Sequence, residues 1–269
     1  MPRCGVLGWP VRHSRSPAMH EAGYAAVGLS DWTYQLLPVP PELFEETVRG
    51  LPGSGFTGAN VTIPHKEAAL ALADEATESA RAIGAANTLT FLPDGRIHAD
   101  NTDAPGLIDA LPFDPAGKTA LVLGAGGSAR AVVWALREAG TEVLVWNRTQ
   151  ERAERLCAEI GGTVVGAPPP QGAELLVNTT SVGLQSGEDP FKALPLAVDD
   201  LRGYPCLVDL VYGSAPTGLV TAARAAGATV VDGLEILVRQ GARSFERWTG
   251  QPAPLDVLRT AARGEPATA

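Results

Sequence analysis

The chain has 269 residues, room for one large domain or two modest ones at the usual ~100–200 residues per domain. Hydrophobic residues make up 45% and aromatics 6%, which calls for aliphatic cores, and a net charge of −9 argues against general binding of nucleic acid or of an anionic membrane. No apolar run approaches the ~18 residues of a membrane span, the start MPRCGVLGWP lacks a signal-peptide core, and Cys4, Cys157 and Cys206 are isolated and lack metal-ligand spacing. A cytoplasmic protein with no metal and no membrane partner is expected.

In chain order, residues 4–8, 33–37, 58–62 and 87–91 read as short strands. Helices are expected from Ser16-Pro17, from Pro40-Pro41 and from Pro64, the last running through an Ala-rich stretch to Ala82, because proline suits a first helical turn. A second alternation begins after Asp103. Strands are expected at 118–123, 142–146, 163–165, 174–178, 206–210 and 228–232, with helices opening at the glycine turn after Leu123, at Thr149 and at Thr217. Alternation of this kind implies a parallel, doubly wound sheet. Beyond Asp232-Gly233 the chain reads as helical to about Trp248, with a last helix near 255–262 and a frayed tail at 264–269. The expected class is α/β in two domains: a substrate domain at 1–102, a Rossmann-like dinucleotide domain at 103–234, and C-terminal helices at 235–269 packing back on the first.

Gly124, Ala125, Gly126, Gly127, Ser128 and Ala129 follow a strand and open a helix. Glycines let backbone approach a pyrophosphate, which free amides and the helix dipole stabilise. An NAD site usually places Asp or Glu at the end of the next strand, ~20 residues on. Here the chain reads Trp146-Asn147-Arg148-Thr149, with Arg152 one turn further. Guanidiniums without a carboxylate suit a 2′-phosphate, so NADP(H) is the cofactor expected.

Four polar motifs in the first domain resist a reading as core: His13-Ser14-Arg15-Ser16-Pro17, Asn60-Val61-Thr62-Ile63-Pro64-His65-Lys66, Gly84-Ala85-Ala86-Asn87-Thr88 and Asp100-Asn101-Thr102-Asp103. Ser16 before Pro17 has the look of a helix N-cap; with Ser14 and free helix-start amides it could also cradle a carboxylate. Asn60 is expected to tie down its strand end. Lys66 is one of three lysines among 21 basic residues and falls in a first helical turn, where a cation is disfavoured. There the helix end favours a neutral amine and a nearby carboxylate the ammonium, so a lysine can trade a proton where an arginine cannot. Asp103, a candidate helix cap at the boundary of the two alternations, is the expected partner. The two domains are expected to close around their ligands about hinges near 100–105 and 232–234.

These motifs, together with GAGGSARA, NRT, VNTTSVG, DLVY and DGLEILVRQ further along, make the chain resemble the shikimate dehydrogenases over nearly its whole length. The resemblance implies reversible NADPH-dependent reduction of 3-dehydroshikimate to shikimate in aromatic amino-acid biosynthesis, by a monomer or a homodimer. It assigns Lys66 and Asp103 to catalysis, and Ser14, Ser16, Thr62, Asn87, Tyr212 and Gln240 to substrate. To the cofactor it assigns the turn from Gly124 to Ala129, Asn147, Arg148, Thr149 and Arg152, with Leu210 and Gly233 beside the nicotinamide and Glu78 as a further contact. Leu184 and Ile236 stand where the family commonly has methionine, and Glu21 where it often has asparagine. A quinate-using enzyme tolerant of NAD, a regulator without catalysis and a folate-linked dehydrogenase are the competing readings.

Overall fold

The computed structural model describes residues 1–169, 172–185, 187–213 and 215–264. Expectations for the tail beyond Gly264 lie outside the described residues. Two compact units emerge, Met1–Gly106 with Leu237–Ala269, and Leu107–Ile236. The crossings fall a few residues later than 102 and 234, inside two helices, Asp103–Ala110 (α5) and Gly233–Thr249 (α9). The first four residues of α5 stay with the first unit because Asp103 pairs with Lys66 and Gly106 lies against the backbone of Gln240, where a Cβ would come within 2.8 Å of the Gln240 nitrogen.

In the first unit, in chain order with α5 following last, come strands and helices Arg3–Gly8 (β1), Ser16–Ala26 (α1), Thr33–Pro38 (β2), Phe44–Gly50 (α2), Phe56–Val61 (β3), Lys66–Ala71 (α3), Glu75–Ala76 (β4), Glu78–Ile83 (α4), Thr88–Phe91 (β5) and Ile97–Asp100 (β6). The strand order is β2-β1-β3-β5-β6-β4. β1 pairs parallel with β2 and β3, whereas β5 runs antiparallel to both β3 and β6, so this sheet is mixed. The single helix expected from Pro64 to Ala82 is replaced by α3, β4 and α4. Helix propensity there gives way to a non-local pairing, Glu75 with His98 and Ala76 with Ala99, and to a cap at Thr77, whose hydroxyl accepts the Ala80 amide.

A cluster including Leu7, Phe44, Phe56, Ala59, Leu89 and Ile97 fills one side of this sheet. Cys4, Val6, Tyr24, Tyr34, Phe245 and Trp248 form another cluster, in which α9 joins α1 and the sheet, and the Trp248 indole donates to the Leu89 carbonyl at 3.1 Å. The last helix, Leu255–Arg263 (α10), contributes Leu258 and Ala262 to a cluster with Met19, Val238 and Ala242, so both C-terminal helices pack on this unit. Burial pushes the Cys4 thiol up to about 12 and the Cys206 thiol to about 11, as befits small core residues.

The second unit holds Thr119–Leu123 (β7), Gly127–Glu138 (α6), Glu142–Trp146 (β8), Gln150–Ile160 (α7), Thr163–Val164 (β9), Leu175–Asn178 (β10), Cys206–Asp209 (β11), Gly218–Ala225 (α8) and Thr229–Val231 (β12). Every pairing is parallel and the order is β12-β11-β10-β7-β8-β9. Numbered within the unit this is 3-2-1-4-5-6 read from the other edge, the doubly wound arrangement in which ligands bind beyond the carboxyl ends of the strands. The central strands β7, β10 and β11 are buried along almost their whole length, as strands covered on both faces must be. Among the described residues no helix is long and apolar enough to cross a membrane.

Candidate active site

The register of the first sheet brings the polar motifs to one level. Asn60 of β3 pairs with Thr88 of β5, and Thr88 with Asp100 of β6. The segments that leave β3 and β6 and the one that enters β5 therefore converge, carrying Thr62 and Lys66, Thr102 and Asp103, and Asn87. Lys66 Nζ donates to Asp103 Oδ2 at 2.6 Å, with the two side chains 11% and 14% exposed. That burial leaves the charges weakly screened, and the pair depends on its hydrogen bonds to offset desolvation. Asn87 supplies one, donating to Asp103 Oδ1 at 2.8 Å.

The orientation of that amide is fixed from its other end. Asn87 Oδ1 accepts the Thr102 amide at 2.7 Å, which leaves Nδ2 facing Asp103 and the Gln240 Oε1 at 3.1 Å. Gln240, which the resemblance assigns to the substrate, is 7% exposed and belongs to this network. Asn60 is 5% exposed and does tie elements together: it accepts from the Tyr34 hydroxyl at 2.7 Å and donates to the Asn87 carbonyl and Thr88 Oγ1 at 3.2 Å each.

Two capping expectations are corrected. Ser16 is not the N-cap of α1; Arg15 holds that position without a side-chain cap, and the Ser16 amide donates to Ser14 Oγ at 3.3 Å. The hydroxyls of Ser14 and Ser16 lie 3.1 Å apart at the uncapped start of an 11-residue helix, an arrangement suited to an anion. Nor does Asp103 cap α5. Asn101 does so, its Oδ1 accepting the Asp103 and Ala104 amides at 3.1 and 3.2 Å while its Nδ2 donates to the Ala85 carbonyl. Asp103 is thereby left to serve Lys66 and Asn87. Asn101 was legible as an Asx turn ahead of a helix, since asparagine favours that geometry. Thr62 is half-buried at the end of β3, and His65, one residue before Lys66, is kept below its ordinary value by burial while its ring stacks on Phe44 and bonds the Val39 carbonyl. Glu78 lies exposed in the first turn of α4, and no metal-ligating group of three exists among the described residues.

In the second unit the turn between β7 and α6 fits a dinucleotide. Gly124 has φ 115°, and a Cβ there would strike Thr179 Oγ1, so only glycine serves. Gly126 caps α6 with no side-chain bond, and a Cβ on it would meet nothing within 4 Å. The amides of Gly127, Ser128 and Ala129 thus open a 12-residue helix with space in front of them. Beyond β8, Asn147 Nδ2 closes its turn by donating to the Thr149 carbonyl at 2.8 Å. Arg148 and Arg152 are both exposed.

The loops after β10 and β11 rest on a buried network that the motif reading passed over. Asp209 is fully buried; its Oδ1 accepts Asn178 Nδ2 at 2.9 Å and the Val211 amide at 3.1 Å, and its Oδ2 accepts the Thr217 hydroxyl at 2.6 Å. Burial raises its carboxyl above the ordinary value, against the pull of those bonds. The Leu210 amide donates to the Asn178 carbonyl, and Gly233 lies so close that a Cβ would come within 2.7 Å of the Leu210 oxygen. Tyr212, half-buried, follows on this second unit.

Three family models match stretches of the chain in both units. The shikimate dehydrogenase substrate binding domain model matches residues 6–89, the shikimate / quinate 5-dehydrogenase model residues 110–180, and the shikimate 5′-dehydrogenase C-terminal domain model residues 233–263. The shikimate dehydrogenase (NADP(+)) of Methylobacterium radiotolerans is 49% identical over 94% of this chain and 93% of its own length. The crystal structure of shikimate 5-dehydrogenase from Thermus thermophilus in complex with NADP(H) and shikimate is 42% identical, with a TM-score of 0.87 over 98% of this chain and 99% of that one. The ligand-free 5-ketofructose reductase of a Gluconobacter species is 31% identical, with a TM-score of 0.83 over 97% of this chain and 98% of that one. On identity of this order across both units, the chain belongs to the shikimate dehydrogenase family.

Proposed function

We propose that the chain reversibly reduces 3-dehydroshikimate to shikimate with NADPH, a step of aromatic amino-acid biosynthesis, in the cytoplasm. The observation that carries this reading is the enclosed Lys66–Asp103 pair with Asn87 on its second carboxylate oxygen. A buried ammonium held by a carboxylate is a proton donor placed where few others exist in a chain with three lysines.

NADP(H) supplies or takes the hydride. The start of α6 would hold its pyrophosphate, Arg148 and Arg152 its 2′-phosphate with Asn147 and Thr149 shaping that turn, and Leu210 and Gly233 would lie beside its nicotinamide. Ser14, Ser16 and the start of α1 take the substrate carboxylate, and Thr62, Asn87 and Gln240 its hydroxyls. As the carbonyl carbon at C3 gains hydride, its oxygen gains the proton from Lys66 Nζ; in the other direction the neutral amine accepts that proton. Asp103 holds the amine in place. Such general acid–base help is worth typically ~10²–10⁴ in rate.

The likeness to a 5-ketofructose reductase supports a second reading, reduction of an uncharged keto sugar. The serine pair at α1 favours a carboxylate. Following reduced-cofactor absorbance with NADP⁺ and shikimate, quinate or a neutral polyol, and again with NAD⁺, tests both readings. Turnover should be greatest with shikimate and NADP⁺; preference for the neutral polyol would reverse the assignment.

A further inference from the structure

Asp209 places a carboxyl inside an aliphatic sheet, and no step above uses it. Burying a carboxyl is costly unless its oxygens are met. All its partners serve loops at the carboxyl ends of β10 and β11. Asn178 Nδ2 joins Asp209 Oδ1 at 2.9 Å, while its Oδ1 accepts the Thr180 amide at 3.1 Å and the Thr180 hydroxyl at 2.7 Å. The Thr180 hydroxyl oxygen in turn accepts the Val182 amide at 3.1 Å. On the other side, Asp209 Oδ1 holds the Val211 amide and its Oδ2 the hydroxyl of Thr217, which caps α8 by accepting the Val220 amide at 3.1 Å. One carboxyl thus ties together the loop after β10, the loop after β11 and the start of α8. The backbone of Leu210 and Val211, against which Gly233 is seated, lies on the second of these loops.

We propose that Asp209 is a positioning residue for the nicotinamide half of the cofactor, acting through Asn178 and Thr217 on the two loops beside it. The adenosine half, by contrast, is met at the end of β8, on the other side of β7 in the sheet order. This rests on the cofactor placement given under the proposed function, and it separates two affinities that a general loss of structure would lower together.

The test is calorimetric titration of the intact protein with NADP⁺ and with 2′,5′-ADP, which carries the 2′-phosphate but no nicotinamide. Asp209→Ala and the milder Thr217→Val should each weaken NADP⁺ by about tenfold or more, the scale of one buried polar group left unmet. Both should leave 2′,5′-ADP within about twofold of the parent, and Asp209→Asn, which keeps the shape and most of the bonds, should recover NADP⁺ affinity. If Asp209→Ala does not fold, Thr217→Val still decides. Unchanged NADP⁺ affinity, or parallel loss of both ligands, overturns the positioning role. A parent that binds neither ligand overturns the cofactor placement itself and this role with it.

Discussion

His20 offers a quantitative test of the core on which α1 is packed. It lies one turn into α1, fully buried, stacked on Tyr34 at 4.3 Å and 3°, and neither ring nitrogen has a hydrogen-bond partner. Burial lowers its pKa from 6.5 to about 3. The unfolded chain therefore binds a proton between those values that the folded chain refuses. Stability from this group is intact above 6.5 and is lost as pH falls towards 3. At about pH 5 the linkage amounts to about 1.5 pH units below the unfolded value, or about 2 kcal/mol, against almost nothing at about pH 7.5. Urea unfolding of the parent and of His20→Leu at the two pH values isolates the term, because the other titrating groups are common to both proteins. The parent should lose about 2 kcal/mol more than the variant on acidification. Equal losses would show that the ring is hydrated or paired in solution and that the desolvation argument is wrong.

Other consequences are equally open to measurement. Arg148→Asp removes a charge-assisted contact and adds repulsion, so the ratio of kcat/KM for NADP⁺ over NAD⁺ should fall by at least about tenfold; an unchanged ratio would misplace the 2′-phosphate. Gly124→Ala places a side chain at φ 115° against Thr179, and it should cost about 1 kcal/mol or more in unfolding experiments and weaken NADP⁺ binding. Asn101→Ala removes the acceptor for two α5 amides and should cost about 1–2 kcal/mol of stability. Loss of only a few tenths would mean that another group caps α5.

The features legible in the sequence were those written locally. The parallel order of the second unit follows from strand–helix alternation, and the glycine turn announced itself by its place between β7 and α6. Pairings between distant segments were not legible. The Ala-rich stretch after Pro64 has every local mark of one helix, yet the contacts of Glu75 and Ala76 with β6 break it. The mixed sheet of the first unit has the same origin. At the site, Lys66 was marked by its rarity and its helix-start position, whereas the burial of Gln240 depends on α9 returning to the first unit from far along the chain. Asp209 and Asn178 were read only as parts of motifs, because nothing in the spacing of two strand-end residues shows that their side chains meet.

The most direct test of the acid–base assignment is single-turnover oxidation of shikimate by NADP⁺ in Lys66→Ala, with shikimate affinity measured in parallel. Turnover reduced by ~10²–10⁴ with affinity changed only a few-fold is the predicted result. Turnover close to that of the parent, at saturating substrate, would contradict it.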